Sequence, residues 1–268
     1  MKNKALLLSV LVCTGMVFPA LVTANPLSAP PEEEEPIVTD RPDFTESSET
    51  VPLRRTQLEV GYTSALTANT RLHTVGEALI RVGVTPKTEL RFTLNSFAIL
   101  NTPGGNTTGF QDISIGAKWR LTEAQKGYGL FKHPQSALIT SFSLPSGSSS
   151  FREHTAQTLF KLCLGWELTP KWEMGVNFNY SYVSQGGDRF NQFATSLTLG
   201  YTWSKRISTF YEIYGFVPGG FQAGNNTYAD TGIAYLVNKD TQFDARVGFG
   251  MNGISRDYFI GAGFSRRF

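Results

Sequence analysis

Long blocks of alternating apolar and polar residues constrain the fold of this chain more than any other feature. Apolar side chains occupy every second position in blocks such as 113–121, 172–182 and 193–203. Successive side chains of a β-strand point to opposite faces, so this period of two predicts strands with one apolar and one polar face. Helical periodicity is almost absent, which predicts an all-β fold. We expect about twelve strands, at residues 55–65, 74–84, 88–99, 110–121, 135–144, 154–168, 171–183, 191–203, 207–217, 226–237, 241–251 and 256–267.

One block leaves its orientation open. In 207–217, Phe210, Tyr214 and Phe216 compete with Tyr211 and Ile213 for the apolar face. Alternation alone therefore does not decide which side chains of this strand point inward.

The connections between the predicted strands alternate in length. Short turns at 85–88, 169–171, 204–206 and 238–240 alternate along the chain with longer Gly-, Ser- and Asn-rich stretches at 101–109, 145–152, 184–191 and 218–225. The link 122–134 is an exception, because it is long although it lies on the side of the short turns. This alternation is typical of an antiparallel up-and-down transmembrane β-barrel, with short periplasmic turns and longer external loops.

The length and composition of the strands favour a membrane barrel over a soluble one. Most predicted strands are about ten residues long, which suffices to cross a bilayer when tilted, whereas strands of globular proteins cluster near five or six. Charged residues make up 17% of the chain, below the roughly 25% of soluble proteins. Aromatic residues that suit interfacial girdles lie near strand ends, at Tyr62, Trp119, Trp166, Trp172, Tyr182, Trp203 and Tyr235. A soluble periplasmic β-sandwich or barrel remains the alternative.

The first 52 residues have a different character. Two lysines, an apolar run over 5–18 and small residues before position 25 predict a signal peptide over 1–24, cleaved after Ala24. Residues 25–52 begin Pro-rich and acidic, which predicts a flexible N-terminal tail or plug segment. The outer-membrane β-barrel is expected over 53–268. Cys163 is then the single cysteine of the mature chain, which excludes a disulfide framework.

The end of the chain and its charge bear on localisation and partners. Phe264 lies in phase with Phe268, and the two resemble the terminal aromatic assembly signal of bacterial outer-membrane barrels, although Arg266 departs from that pattern. We therefore expect the bacterial outer membrane as the location, with lipid and the barrel-assembly machinery as partners of the C-terminal strand. A net charge of +2 without a basic run excludes a nucleic-acid partner.

Charged residues on the predicted strands fall on the polar face. An Arg or Lys on the lipid face would cost about 2–4 kcal/mol at mid-membrane, so the lumen is the favourable place for them. A filled barrel with mutually paired charges and a polar conduit both fit this pattern, since twelve strands lie between filled and water-conducting barrels. The predicted lumen-lining residues are Glu59, Glu77, Arg81, Glu89, Arg91, Asp112, Lys118, Arg120, Lys161, Glu167, Glu173, Asp230, Asp244 and Arg246.

The sequence gives little support to catalysis. A barrel hydrolase needs a serine nucleophile beside a histidine base, and outer-membrane phospholipases carry the two residues two positions apart on one strand. None of His73, His133 and His154 is followed by serine at that spacing. No zinc-like cluster, phosphate loop or dinucleotide fingerprint is present, so we predict no enzyme, no metal and no cofactor.

A short motif precedes the first strand. Residues 39–47 read TDRPDFTES, and residues 57–62 read QLEVGY. This segment resembles the transporter-like outer-membrane family linked to the meta-pathway of phenol degradation. The resemblance implies an outer-membrane barrel assigned to transport of small molecules, including aromatic or apolar compounds, and it supplies no site residues.

From these observations we predict a passive channel or transporter for small molecules, with a structural or binding barrel of filled lumen as the alternative. The motif is either a polar plug in the barrel mouth or an anchor of the tail to the periplasmic rim. The candidate plug residues are Asp40, Arg41, Asp43, Phe44 and Glu46.

Overall fold

The computed structural model describes residues 35–185, 188–218, 226–252 and 258–268. The predicted signal peptide and its cleavage position at Ala24 lie outside the described residues. Within the described residues, no helix is long and apolar enough to cross a membrane. The described part of the chain contains fourteen strand segments: β1 (Thr56–Thr67), β2 (Thr70–Thr85), β3 (Thr88–Thr93), β4 (Phe97–Thr102), β5 (Gly105–Phe110), β6 (Ile113–Thr122), β7 (Gln135–Leu144), β8 (Gln157–Glu167), β9 (Trp172–Gln185), β10 (Asp188–Thr202), β11 (Ile207–Pro218), β12 (Asn226–Asn238), β13 (Thr241–Gly250) and β14 (Tyr258–Arg267).

The strands close into a barrel. Each strand from β6 to β14 pairs antiparallel with the next, and β1 pairs with both β14 and β2. The circuit is completed by β3, which lies between β2 and β6. The segments β4 and β5 form a hairpin beside the far half of β2, in line with β3 and β6. The result is a closed antiparallel barrel of twelve strand positions, as predicted.

The sequence-based strand boundaries are wrong in two places. The predicted strand 88–99 is interrupted after Thr93, and the predicted loop 101–109 is largely the β4–β5 hairpin, which turns tightly at Gly105 (φ 134°). The predicted loop 184–191 is likewise mostly the continuation of β9 and β10. These extensions lie toward the end of the barrel opposite the start of β1. Both strand faces can be polar there, so the extensions carry little of the alternation that marks a strand in the membrane belt.

The barrel is apolar outside and polar inside. Large apolar side chains such as Phe178, Phe193 and Phe243 are about half exposed on the outer face, whereas Arg81 and Lys118 are fully buried inside. The opposite arrangement would be expected of a soluble barrel. This distribution is that of a transmembrane barrel whose lipid belt covers the outer face.

The two ends of the barrel differ. The short turns at 86–87, 168–171, 203–206 and 239–240 lie at the end where β1 begins and β14 ends, which we call the turn end. At the opposite end, the loop end, the described connections are the long stretch 145–156 and the tight turns at 68–69 and 103–104. The exceptional link 123–134 lies at the turn end, where Gln125 N donates to His133 O (3.0 Å) and Gly129 N donates to Glu167 O (2.9 Å).

Candidate functional site

Residues 37–52 form a loop inside the barrel, which we call the tail loop. Its first residue, Ile37, donates its backbone N–H to Lys239 O at the turn end (2.7 Å). The tail loop returns to the wall at Val51, whose N–H donates to Glu89 Oε2 (2.7 Å). Ile37 and Val51 are both buried. The tail loop therefore enters the lumen and leaves it at the same end of the barrel.

One carboxylate of the tail loop forms ion pairs with three cations of the wall. Asp40 lies 2.6 Å from Arg91 Nη1, 2.9 Å from Lys118 Nζ and 3.3 Å from Arg81 Nη1. Asp40, Arg81 and Lys118 are almost fully buried at their side chains. In return, the wall carboxylate Glu59 accepts hydrogen bonds from Asp40 N (3.0 Å) and Arg41 N (3.1 Å). Backbone and side chain of the motif are thus both fixed to the wall.

A second tail-loop carboxylate completes the charge balance on this side. Glu46 lies 2.7 Å from Arg91 Nη2 and 2.9 Å from Lys161 Nζ. We call this side of the lumen the basic wall, after its four cations Arg81, Arg91, Lys118 and Lys161. Among the residues that the structure describes, the wall supplies two carboxylates against these four cations, Glu59 and Glu89. Asp40 and Glu46 supply the missing two, so the buried charges balance only with the tail loop in place.

Arg41 points the other way, toward an acidic region of the wall. Its guanidinium pairs with Glu77 (2.8 Å) and lies 3.7 Å from Asp244. The guanidinium passes so close to two glycines that an added Cβ at Gly61 would overlap Arg41 Cζ, and one at Gly263 would lie 2.5 Å from Arg41 Nε. These glycines provide the space that Arg41 occupies.

We expect Gly61→Ala to displace Arg41 and loosen the tail loop. The new methyl group overlaps the guanidinium, and hydrogen bonds to charged groups contribute about 1.5–3 kcal/mol each, so opening should become on the order of tenfold more frequent. Limited proteolysis of the refolded protein measures this as faster cleavage within residues 37–52. The matched control is Gly215→Ala, whose Cβ would approach Asn226 O only to 3.3 Å. Equal cleavage rates in both variants would contradict the assigned role of Gly61.

The tip of the tail loop is held by a residue that the sequence did not reveal. Glu212 accepts hydrogen bonds from Phe44 N (2.8 Å), Thr45 N (2.6 Å) and the Thr45 hydroxyl. Glu212 belongs to the ambiguous block 207–217, in which Tyr211 and Ile213 face the lipid. Glu212 is charged and lies on the same strand face as Phe210. This charge was the signal in the sequence that this face points inward.

The inward aromatic residues of this strand contact the tip. The Phe44 ring stacks on Tyr214 (centroids 4.5 Å apart) and meets Phe216 edge-on (5.3 Å). Tyr214 also stacks on Tyr228 of β12 (5.2 Å). Lys161 Nζ, on the basic wall, lies 5.1 Å from the Phe44 ring centroid. The tip is thus an aromatic cluster beside the basic wall.

A cavity of about 200 Å³ opens next to Phe44. Its lining residues occupy neighbouring inward positions of β8 to β11, because Lys161 pairs in register with Asn179, Asn179 with Ala194, and Ala194 with Phe216. A second row, nearer the loop end, is formed by Leu159, Ser181 and Gln192. The cavity is thus bounded by Phe44 of the tail loop and by the four strands β8 to β11.

The other predicted lumen residues do not line this cavity, although Asp230 is the register partner of Glu212 at the tip of the tail loop. Near the turn end, Arg120 Nη2 donates to Pro86 O (2.5 Å), and Glu167 is the register partner of Glu173. On β12 and β13, Asp230 and Arg246 are 3.8 Å apart.

Asp112 organises the loop between β7 and β8. Its carboxylate accepts backbone hydrogen bonds from Ser146 (2.9 Å), Gly147 (2.8 Å) and Glu153 (3.0 Å). These three donors belong to the external connection 145–156, so the contacts of Asp112 are with the loop and not with the tail loop.

The last strand supplies a further contact that the sequence did not indicate. Arg267 points inward, pairs with Asp240 (2.8 Å) and donates to Glu35 O (2.8 Å). Partial burial raises the pKa of Asp240, but the hydrogen bond and charge of Arg267 outweigh it and hold that pKa below its ordinary value. Phe264 packs against Phe243 on the outer face (5.2 Å), and Phe268 N donates to Thr56 O (2.7 Å).

The structure gives no arrangement for metal chemistry among the residues it describes. No group of three or more His, Cys, Asp or Glu side chains within them is placed to hold a metal ion. His73 Nδ1 lies 2.7 Å from the Tyr62 hydroxyl.

These features define an outer-membrane β-barrel whose lumen is occupied by its own N-terminal segment. Residues 39–268 match the family model described as "Putative MetA-pathway of phenol degradation", and the chain belongs to this family. The match begins at the TDRPDFTES motif, so the resemblance drawn from that motif is confirmed. No curated protein matches the sequence.

Solved structures share the fold at low sequence identity. An outer-membrane channel from Pseudomonas putida F1 is 16% identical with a TM-score of 0.64, covering 82% of this chain and 98% of that chain. The translocator domain of the autotransporter NalP from Neisseria meningitidis is 14% identical with a TM-score of 0.52, covering 80% and 88%. The β domain of the Bordetella autotransporter BrkA is 11% identical with a TM-score of 0.52, covering 79% and 98%. The predicted outer-membrane barrel is thereby confirmed as the fold class.

Proposed function

We propose that this protein is a passive outer-membrane channel for small apolar or aromatic molecules, closed at rest by the tail loop. The observation that carries this proposal is the cavity beside Phe44, which lies on the loop-end side of the tail loop's ion pairs. Solutes arriving from outside would meet an aromatic and partly apolar surface, which includes Phe44 of the tail loop, before they reach the ion pairs of that loop. The relation to the outer-membrane channel of Pseudomonas putida supports the same function.

The tail loop is suited to move because it is not part of the barrel wall. The paired strands begin at Thr56, after the tail loop has ended, so its departure would break no strand pairing. Both ends of the tail loop lie at the turn end, which faces the periplasm in barrels of this kind. The tail loop can therefore withdraw toward the periplasm while the barrel stays closed.

The competing function is a structural or binding barrel with a permanently filled lumen. The observation that favours it is the pairing of four wall cations with four carboxylates around the tail loop. Buried ion pairs of this kind are costly to break from one side, so the same contacts that close a gate would also hold a fixed filling.

Planar-bilayer conductance of the refolded mature protein separates the two functions. We expect brief open steps from a mainly closed state, and we expect added phenol-like solutes to shorten or block these steps. The heat-modifiable shift of the folded barrel on a gel serves as the folding control. A protein that shows the gel shift but never conducts would support the filled barrel instead.

A further inference from the structure

The lining of the cavity beside Phe44 includes a polar side chain with one unpaired atom. Asn179 is only 7% exposed, yet its Oδ1 atom makes no hydrogen bond with any residue that the structure describes. Buried polar groups are nearly always hydrogen-bonded, and leaving one unpaired costs about 1–3 kcal/mol. The Oδ1 atom is a hydrogen-bond acceptor, so a molecule in the cavity that carries a donor group would satisfy it.

The charge next to this amide is already used. Lys161, the register partner of Asn179, forms an ion pair with Glu46 at 2.9 Å. A negatively charged molecule would therefore find no free cation here, and it would meet the Glu46 carboxylate nearby. The charges of the cavity favour a neutral occupant.

Besides Lys161 and Asn179, the cavity is lined by two polar residues, Ser181 and Gln192, and by four apolar ones. The apolar residues are Phe44, Leu159, Ala194 and Phe216, two of which are aromatic. The cavity measures about 200 Å³, and an apolar protein cavity of about 150 Å³ suffices to bind benzene. Aromatic rings gain from edge-on and stacked contacts with one another, so a single ring fits both the size and the chemistry of this surface.

We infer that the cavity is a binding subsite for a neutral one-ring aromatic molecule that carries one hydroxyl or amine group. The ring packs against Phe44 and Phe216, and the polar group hydrogen-bonds to the Asn179 amide. This inference rests on the proposed function and assigns the solute-binding step to named residues.

Binding to the whole refolded protein tests the inference without requiring transport. The probes are 4-fluorophenol, fluorobenzene and 4-fluorobenzoate, observed by fluorine NMR at one fixed detergent concentration. We expect 4-fluorophenol to bind about 2- to 10-fold more tightly than fluorobenzene, because one neutral hydrogen bond separates the two molecules. We expect 4-fluorobenzoate to bind most weakly, because it is an anion.

Two variants assign the binding to this cavity. Asn179→Leu should abolish the preference for 4-fluorophenol over fluorobenzene, and Ala194→Leu should abolish saturable binding of both by filling the space. Ala229→Leu is the matched control, because Ala229 pairs in register with the lipid-exposed Ile213 and Phe249. It adds the same side-chain volume on the outer face and should bind like the unchanged protein. The gel shift of each variant verifies folding.

Two results would overturn the inference: tightest binding of 4-fluorobenzoate, or equal binding by the Ala194→Leu and Ala229→Leu proteins. Conductance of the same preparations keeps the two proposals apart. Binding at the cavity in a protein that never conducts would refute the channel and leave the subsite standing. Conductance without any binding that depends on Ala194 would refute the subsite and leave the channel standing.

Discussion

Removing residues 36–50 is expected to raise single-channel conductance several-fold over that of the unchanged protein. The deletion takes away Asp40, Arg41 and Glu46, which hold the tail loop between the basic wall and the acidic region. The wall strands lose no pairing, because β1 begins at Thr56. Water can then hydrate the wall charges that the tail loop covered, so the lumen should conduct.

The control for this deletion removes residues 25–34 and leaves the motif intact. Its conductance should equal that of the unchanged protein, since the contacts described above begin at Glu35. Planar-bilayer recordings of the three proteins under the same salt conditions make the comparison. Equal conductance with and without residues 36–50 would mean that the tail loop does not close the lumen.

Asp40→Asn is expected to destabilise the closed protein strongly, whereas Asp43→Asn is not. Arg81, Arg91 and Lys118 converge on the Asp40 carboxylate, and breaking a buried ion pair from one side costs about 3–5 kcal/mol. Asp43, three residues further on, is instead repelled by the negative charges of Glu212 and Asp230. Its neutralisation removes repulsion, so stability should stay the same or rise.

The two variants form a matched pair, because each replaces one aspartate of the same motif by its amide. The temperature at which the refolded protein loses its heat-modifiable gel shift is the measurement. We expect it to fall for Asp40→Asn only, and to recover in part when Lys118→Met is added, because the double variant removes both members of one pair. Equal shifts for the two aspartate variants would show that the charge pattern of the wall does not determine how the tail loop is held.

The predictable part of the fold is the part that the membrane constrains. Inside the lipid belt each strand must be apolar on one face, so its residues alternate and the twelve strand positions could be predicted. Toward the loop end that requirement lapses, which is why the β4–β5 hairpin and the ends of β9 and β10 resembled loops. Glycine and asparagine in 101–109 indicated a loop, whereas the structure turns only at the tip of the β4–β5 hairpin.

The site was predictable in composition but not in contacts. The charges of the motif marked it as a segment for a polar environment, and the polar strand faces supplied the residues that surround it. Which charge meets which depends on how the barrel closes, because the cations that Asp40 contacts lie 41 to 78 positions later in the sequence. Glu212 escaped notice because aromatic residues on both of its faces hid the phase of its strand.

The charge deficit of the basic wall has a consequence for how such barrels diverge. The wall lacks two negative charges that only Asp40 and Glu46 provide, so neither the wall nor the tail loop can change its charges alone without leaving a buried imbalance. Substitutions on the two sides should therefore arise in compensating pairs among related sequences. A tail exchanged between two relatives should fit only when it brings two carboxylates with the same six-residue spacing.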